Sequence, residues 1–78
     1  MDDLAAVICD RVKRLAAEDR DVKAALEAVL GVSGRARAPV AEAARRCHEE
    51  HNAQPDSYAI QRAAEMLDHI LAAGVLVD

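Results

Sequence analysis

The chain has 78 residues, so we expect a single domain over residues 1–78. It is rich in Ala, Leu and Val, has few glycines and prolines, and contains one Tyr but no Phe or Trp. This composition favours helices around a thin core and predicts a small all-α domain, a bundle of three or four helices. The net charge of −4 argues against general nucleic-acid binding, and two cysteines are too few for a disulfide-stapled secreted domain.

No targeting or membrane segment is recognisable. A basic start followed by an apolar run is missing, and no stretch approaches about 18 consecutive apolar residues. We therefore expect a cytoplasmic location with reduced thiols and no membrane partner.

Residues 3–30 have a helical pattern, because apolar residues recur at steps of three and four. The pattern is interrupted by the polar run 18–21, which indicates either one long helix with an exposed waist or two helices. We favour two, with Asp19 or Asp21 as the second N-cap, because one helix of about 28 residues is long for so small a protein. Gly31 is expected to end the second helix.

The first helix has a wide apolar face. Its members are Leu4, Val7, Ile8 and Val12. The core is thin, and this face is wider than one partner helix can cover. We therefore predict self-association through these residues, as in a homodimer.

Basic residues are concentrated in the middle of the chain. Residues 31–47 contain four arginines and one acidic residue, whereas the flanking segments are acidic. The arginines are Arg35, Arg37, Arg45 and Arg46. The clustering predicts one cationic patch that binds an acidic protein partner, with duplex DNA as the less favoured partner. The plain alternative is a solvated helix face with local acidic partners.

Two further helices are predicted, over residues 39–51 and 57–73, joined to the preceding helix by a loop at 31–38. Pro39 is expected to be the first residue of the earlier helix. Asp56 or Ser57 is expected to cap the later one. The buried positions are predicted to be Val40, Ala43 or Ala44, Cys47, Ile60, Ala63, Leu67 and Ile70. Gly74 suits a left-handed stop, after which Val75 folds back on Ile70.

Two pairs of reactive side chains have open interpretations. Cys9 and Cys47 come close if the first and third helices pack, either as buried free thiols or as a disulfide. His48 and His51 lie three residues apart, which suits either a shared metal or the capping of helix carbonyls. We favour the structural interpretation for the histidines and expect no metal or cofactor.

Residues 39–78 resemble the helix-turn-helix part of winged-helix domains. The likeness rests on the Ala-rich helix PVAEAARR, a connection, and a longer helix that ends in LAAGVL. The resemblance implies DNA binding as an ancestral role. Two features depart from the pattern: a long connection at 48–55, and Glu65 and Asp68 on the face that would enter the groove.

No nucleophile, base and acid can be assembled into a catalytic set, and so small a chain has little room for a deep pocket. We therefore expect a non-enzymatic interaction module or regulator that binds another protein or itself. The alternative is a DNA-binding transcriptional regulator of the helix-turn-helix or winged-helix type.

Overall fold

The prediction of an all-α domain is confirmed. A computed structural model describes residues 3–78, which form α1 (Leu4–Ala17), α2 (Val22–Ser33), α3 (Arg37–Ala53) and α4 (Tyr58–Ala72). Extended pairing within these residues is limited to one isolated parallel bridge between Ala36 and Val77. None of the four helices combines the length and the apolarity needed to span a membrane.

The predicted break between the first two helices is present, and a side chain determines where the second begins. The carboxylate of Asp21 accepts a hydrogen bond from the Ala24 N–H at 3.0 Å, so Asp21 is the N-cap of α2. Asp19 adopts a left-handed conformation with φ of 58°, which ends the path of α1. The polar run therefore forms a turn, because Asp19 leaves the right-handed helical conformation and the Asp21 carboxylate accepts from a backbone N–H at the start of α2.

The prediction that Gly31 ends α2 is wrong. The helix continues to Ser33, and Gly34 takes the positive φ of 63° that the stop requires. A glycine inside a helix costs only about 1 kcal/mol, which the packing of Val29 and Val32 on the core offsets. The predicted loop at 31–38 is thereby reduced to residues 34–36.

The third helix is longer than predicted at both ends. It begins at Arg37, so Pro39 lies within the first turn and is not the first residue. N–H groups in the first turn have no acceptor within the helix, so the N–H that Pro39 lacks costs no helical hydrogen bond. It continues to Ala53, so the connection to α4 is four residues, 54–57. The long connection predicted at 48–55 is therefore wrong.

The fourth helix matches its prediction closely. Of the two proposed caps, Ser57 is the one used, and its hydroxyl accepts from the Ile60 N–H at 3.4 Å. Gly74 has a φ of 73°, as the stop signal predicted, and Val75 packs against the core.

The core lies where α4 packs against α1 and α3. Each residue predicted to be buried in α3 and α4 is buried, including both Ala43 and Ala44. Small residues on these helices let their axes approach closely, and a few larger side chains fill the remaining space. The largest side chains with under 2% exposure are Ile8, Val12, Val29, Val40, Cys47, Met66, Leu67 and Ile70.

Candidate interaction site

A short backbone clamp joins the α2–α3 connection to the segment after α4. The Arg37 N–H donates to the Val77 carbonyl at 2.9 Å, and the Val77 N–H donates to the Arg35 carbonyl at 2.7 Å. The Arg35 guanidinium adds a hydrogen bond from Nε to the Val75 carbonyl at 3.1 Å. These bonds place the first turn of α3 beside residues 75–78.

A surface groove lies against this clamp. It has a volume of about 540 Å³ and a mainly alanine and valine floor. Its lining consists of Arg35, Ala36, Arg37, Ala38, Ala41, Val77 and Asp78. Val77 is 58% exposed, so part of this floor is apolar surface in contact with solvent. We call this surface the Arg35–Arg37 groove.

The electrostatics of the groove favour an anion. Arg35 and Arg37 are exposed, and neither forms an ion pair within residues 3–78. Within the described residues, no side chain caps the start of α3, where the helix dipole is positive. The Arg37 N–H is already bonded and Pro39 has none, so the Ala38 N–H is the first-turn donor left for a ligand or water. Asp78 is the acidic residue on the rim.

The other two predicted patch residues are in a different electrostatic setting. Arg45 pairs with Glu42 and Glu49, while Arg46 donates to Asp3 at 2.8 Å and to Glu42 at 3.2 Å. These arginines hold the pKa values of Asp3 and Glu42 below their ordinary range. The four arginines therefore do not form one uncompensated patch: two line the groove, and two are neutralised by acids.

The four residues predicted for self-association are also divided. Ile8 and Val12 are 1% and 0% exposed and belong to the core of the monomer, whereas Leu4 and Val7 are 38% and 37% exposed. The face predicted for self-association included core residues, because α1 packs the side with Ile8 and Val12 against α4 and α3. Self-association stays a prediction, and only Leu4 and Val7 remain on the surface to support it.

The two cysteines lie close together, as expected from the sequence if the first and third helices pack against each other. Cys9 Sγ and Cys47 Sγ are 2.9 Å apart, and both residues are buried free cysteines. An ion pair closes this region toward solvent: Lys13 Nζ lies 2.9 Å from Glu50 Oε2, and Glu50 Oε1 lies 4.0 Å from Cys9 Sγ. The bond to Glu50 raises the pKa of Lys13.

One of the two histidines makes a contact between helices. His48 Nε2 lies 2.7 Å from Asp68 Oδ2, and this contact links the exposed sides of α3 and α4. His51 lies in the last turn of α3. No cluster of three or more metal-ligating side chains occurs among residues 3–78.

Sequence reasoning missed the contribution of Val77 and Asp78 to the groove. The signal was available in VLV after Gly74, where Val75 and Leu76 pack inward and Val77 faces solvent. Its partner segment at residues 35–37 had no strand pattern, so the pairing was not predictable.

Comparisons with protein-family models, curated proteins and solved structures found no match for this chain.

Proposed function

We propose that this chain is a small non-enzymatic interaction module, and that it binds an acidic, partly aliphatic segment of a protein partner in the Arg35–Arg37 groove. The observation that carries the proposal is that two exposed arginines, neither of them ion-paired within residues 3–78, line a groove with an alanine and valine floor. The proposed setting is the cytoplasm, where such a module would act as a regulator through its partner.

The chemistry of the groove selects this class of ligand. A guanidinium forms two parallel hydrogen bonds with a carboxylate, and the open Ala38 N–H adds a donor at a helix start. The floor favours an aliphatic side chain next to that carboxylate. Contacts of this kind at an exposed site contribute modestly, so we expect a transient complex whose association is steered by charge.

The test is a peptide selection followed by matched variants. The full chain is used to select from a random peptide display library, and the recovered peptides are measured by fluorescence polarisation at low and high salt. We expect acidic peptides whose affinity falls by about tenfold or more in the double variant R35S/R37S. The control R45S/R46S removes the same charge from the neutralised pair and should bind nearly as well as the wild type.

Two results would contradict this proposal. One is a selected set with no enrichment in Asp and Glu. The other is an equal loss of affinity in the two double variants, since this would mean that net charge and not the groove determines binding.

A second candidate is DNA binding, and the short connection between α3 and α4 favours it. Four residues at 54–57 are compatible with a helix-turn-helix arrangement, in which α4 would enter the major groove. Glu65 and Asp68 are exposed on α4, however, and would face phosphates. Sub-micromolar, salt-sensitive binding of duplex DNA by the wild type, with no peptide binding, would reverse this ranking.

A further inference from the structure

The thiols of Cys9 and Cys47 form an isolated pair in the core. Their sulfur atoms are 2.9 Å apart, and the residues are 3% and 0% exposed. They belong to α1 and α3 and are separated by 38 positions in the sequence. A disulfide has an S–S distance of about 2.04 Å, so bond formation requires the sulfurs to approach by about 0.9 Å.

We propose that Cys9 and Cys47 form a redox-active dithiol, which a hydroperoxide converts to an intramolecular disulfide joining α1 to α3. The packing of the two helices already holds the sulfurs together, so oxidation needs no rearrangement of the fold. No other function described above uses these thiols, and the inference does not depend on the Arg35–Arg37 groove.

The two sulfurs are not equivalent, and the structure assigns Cys9 as the attacking thiol. Cys9 Sγ lies on the side of the Lys13–Glu50 ion pair, whose side chains are 26% and 39% exposed, whereas Cys47 lies deeper. A hydroperoxide that displaces this ion pair therefore meets Cys9 first.

The charges around the pair support the same order. A hydrogen bond from the Cys47 thiol lowers the pKa of Cys9, helped by the nearby Lys13 ammonium and opposed by burial and by Glu50 and Asp10. The same bond, together with burial, raises the pKa of Cys47. Of the two thiolates, only that of Cys9 is therefore favoured, and the thiolate is the nucleophilic form of a cysteine.

The chemistry balances in two steps. The Cys9 thiolate attacks one oxygen of the hydroperoxide, the O–O bond breaks, and the leaving oxygen takes a proton to form water or an alcohol. Cys9 is now a sulfenic acid, S–OH. The Cys47 sulfur attacks Cys9 Sγ, the S–O bond breaks, and hydroxide leaves with the Cys47 proton as water. Two thiols are oxidised by two electrons in total, and the hydroperoxide is reduced.

The first test is the product formed by the wild-type protein. Reduced full-length chain is treated with a small excess of hydrogen peroxide, alkylated under denaturing conditions and digested with trypsin without reductant. We expect a monomer that has lost the mass of two hydrogen atoms and contains Met1–Arg11 linked to Cys47–Arg62. Two alkylated cysteines, or only disulfide-linked dimers, would overturn the proposal.

The second test assigns the order of attack. In Cys47→Ser the resolving thiol is absent but a hydroxyl remains to donate to Cys9, so Cys9 should accumulate as a sulfenic acid that a 1,3-diketone reagent traps; Cys9→Ser should be trapped far less. Circular dichroism of both variants checks that they are folded. Equal trapping in the two folded variants would overturn the assignment.

A third variant leaves both thiols in place and so does not depend on substitutions in the core. Glu50→Gln removes the carboxylate beside Cys9 and weakens the ion pair that covers it, so disulfide formation should be several-fold faster. Glu49→Gln is the matched control, because Glu49 pairs with Arg45 on an exposed face. Equal rates in both variants would contradict attack at this edge of the pair.

Discussion

Replacement of Leu67 by alanine tests whether the core is assembled around α4. Leu67 is 0% exposed and lies in the middle of that helix, within the cluster that joins all four helices. The change removes three carbon groups, which corresponds to about 2.4 kcal/mol of lost transfer free energy at about 0.8 kcal/mol per group. Ala63 and Ala64 have no side-chain length with which to refill the space.

The remaining cavity adds to this loss. Buried leucine-to-alanine changes cost about 2–5 kcal/mol in total, and we expect about 3 kcal/mol here. A domain of this size has a free energy of unfolding of about 4–12 kcal/mol, taking about 0.05–0.15 kcal/mol per residue. Leu67→Ala should therefore remove a large part of the stability and lower the Tm by more than about 10 °C.

The assay is urea unfolding followed by far-UV circular dichroism, with wild type and variant at the same concentration. Leu4→Ala is the matched control because it removes the same atoms from a residue that is 38% exposed, and it should cost less than about 1 kcal/mol. A loss below about 1 kcal/mol for Leu67→Ala, or equal losses for the two variants, would refute the assignment of Leu67 to the centre of the core.

Three other predictions follow from burial and charge. Val7→Glu should remain folded and should reduce any self-association seen by analytical ultracentrifugation. Ile8→Glu should unfold the chain, because a carboxylate in the core has no partner. A well-folded Ile8→Glu variant would be inconsistent with the packing. Asp78→Asn should tighten the binding of acidic peptides to the groove, and unchanged affinity would place the ligand elsewhere. Oxidation of Cys9 and Cys47 should raise the free energy of unfolding by about 4 kcal/mol from loop closure, and a destabilised oxidised form would mean that the bond strains the helices.

The helix boundaries that depend on local chemistry were predictable from the sequence. Asp21 and Ser57 accept backbone N–H groups within their own first turns, and Gly74 supplies the left-handed stop, so neighbouring residues carry the whole signal. Where a local signal was overridden, tertiary packing decided. Gly31 was the predicted stop, and the helix continued through it to Ser33 because α2 still had apolar residues to pack.

The candidate site was less predictable, because its properties depend on contacts between distant segments. Arg35 and Arg45 look alike in sequence, yet one lines a groove with a residue from the chain terminus and the other is paired along its own helix. Arg46 is likewise neutralised by Asp3, 43 positions away. Charge counting along the chain indicated four equivalent arginines, since it contains no information about such partners.

Both proposed sites involve α3, but they are at separate positions along it. Arg37 is in the first turn of the helix, and Cys47 is ten residues later, which corresponds to about 15 Å at a rise of 1.5 Å per residue. The groove is held by hydrogen bonds to residues 75–77, whereas the thiols are held by the packing of α1 against α3. A disulfide would join helices that already touch and would leave the clamp at Val77 unchanged. The interaction proposal and the redox proposal are therefore physically separable, and loss of groove binding in an oxidised, folded chain would require a coupling through α3 that these contacts do not supply.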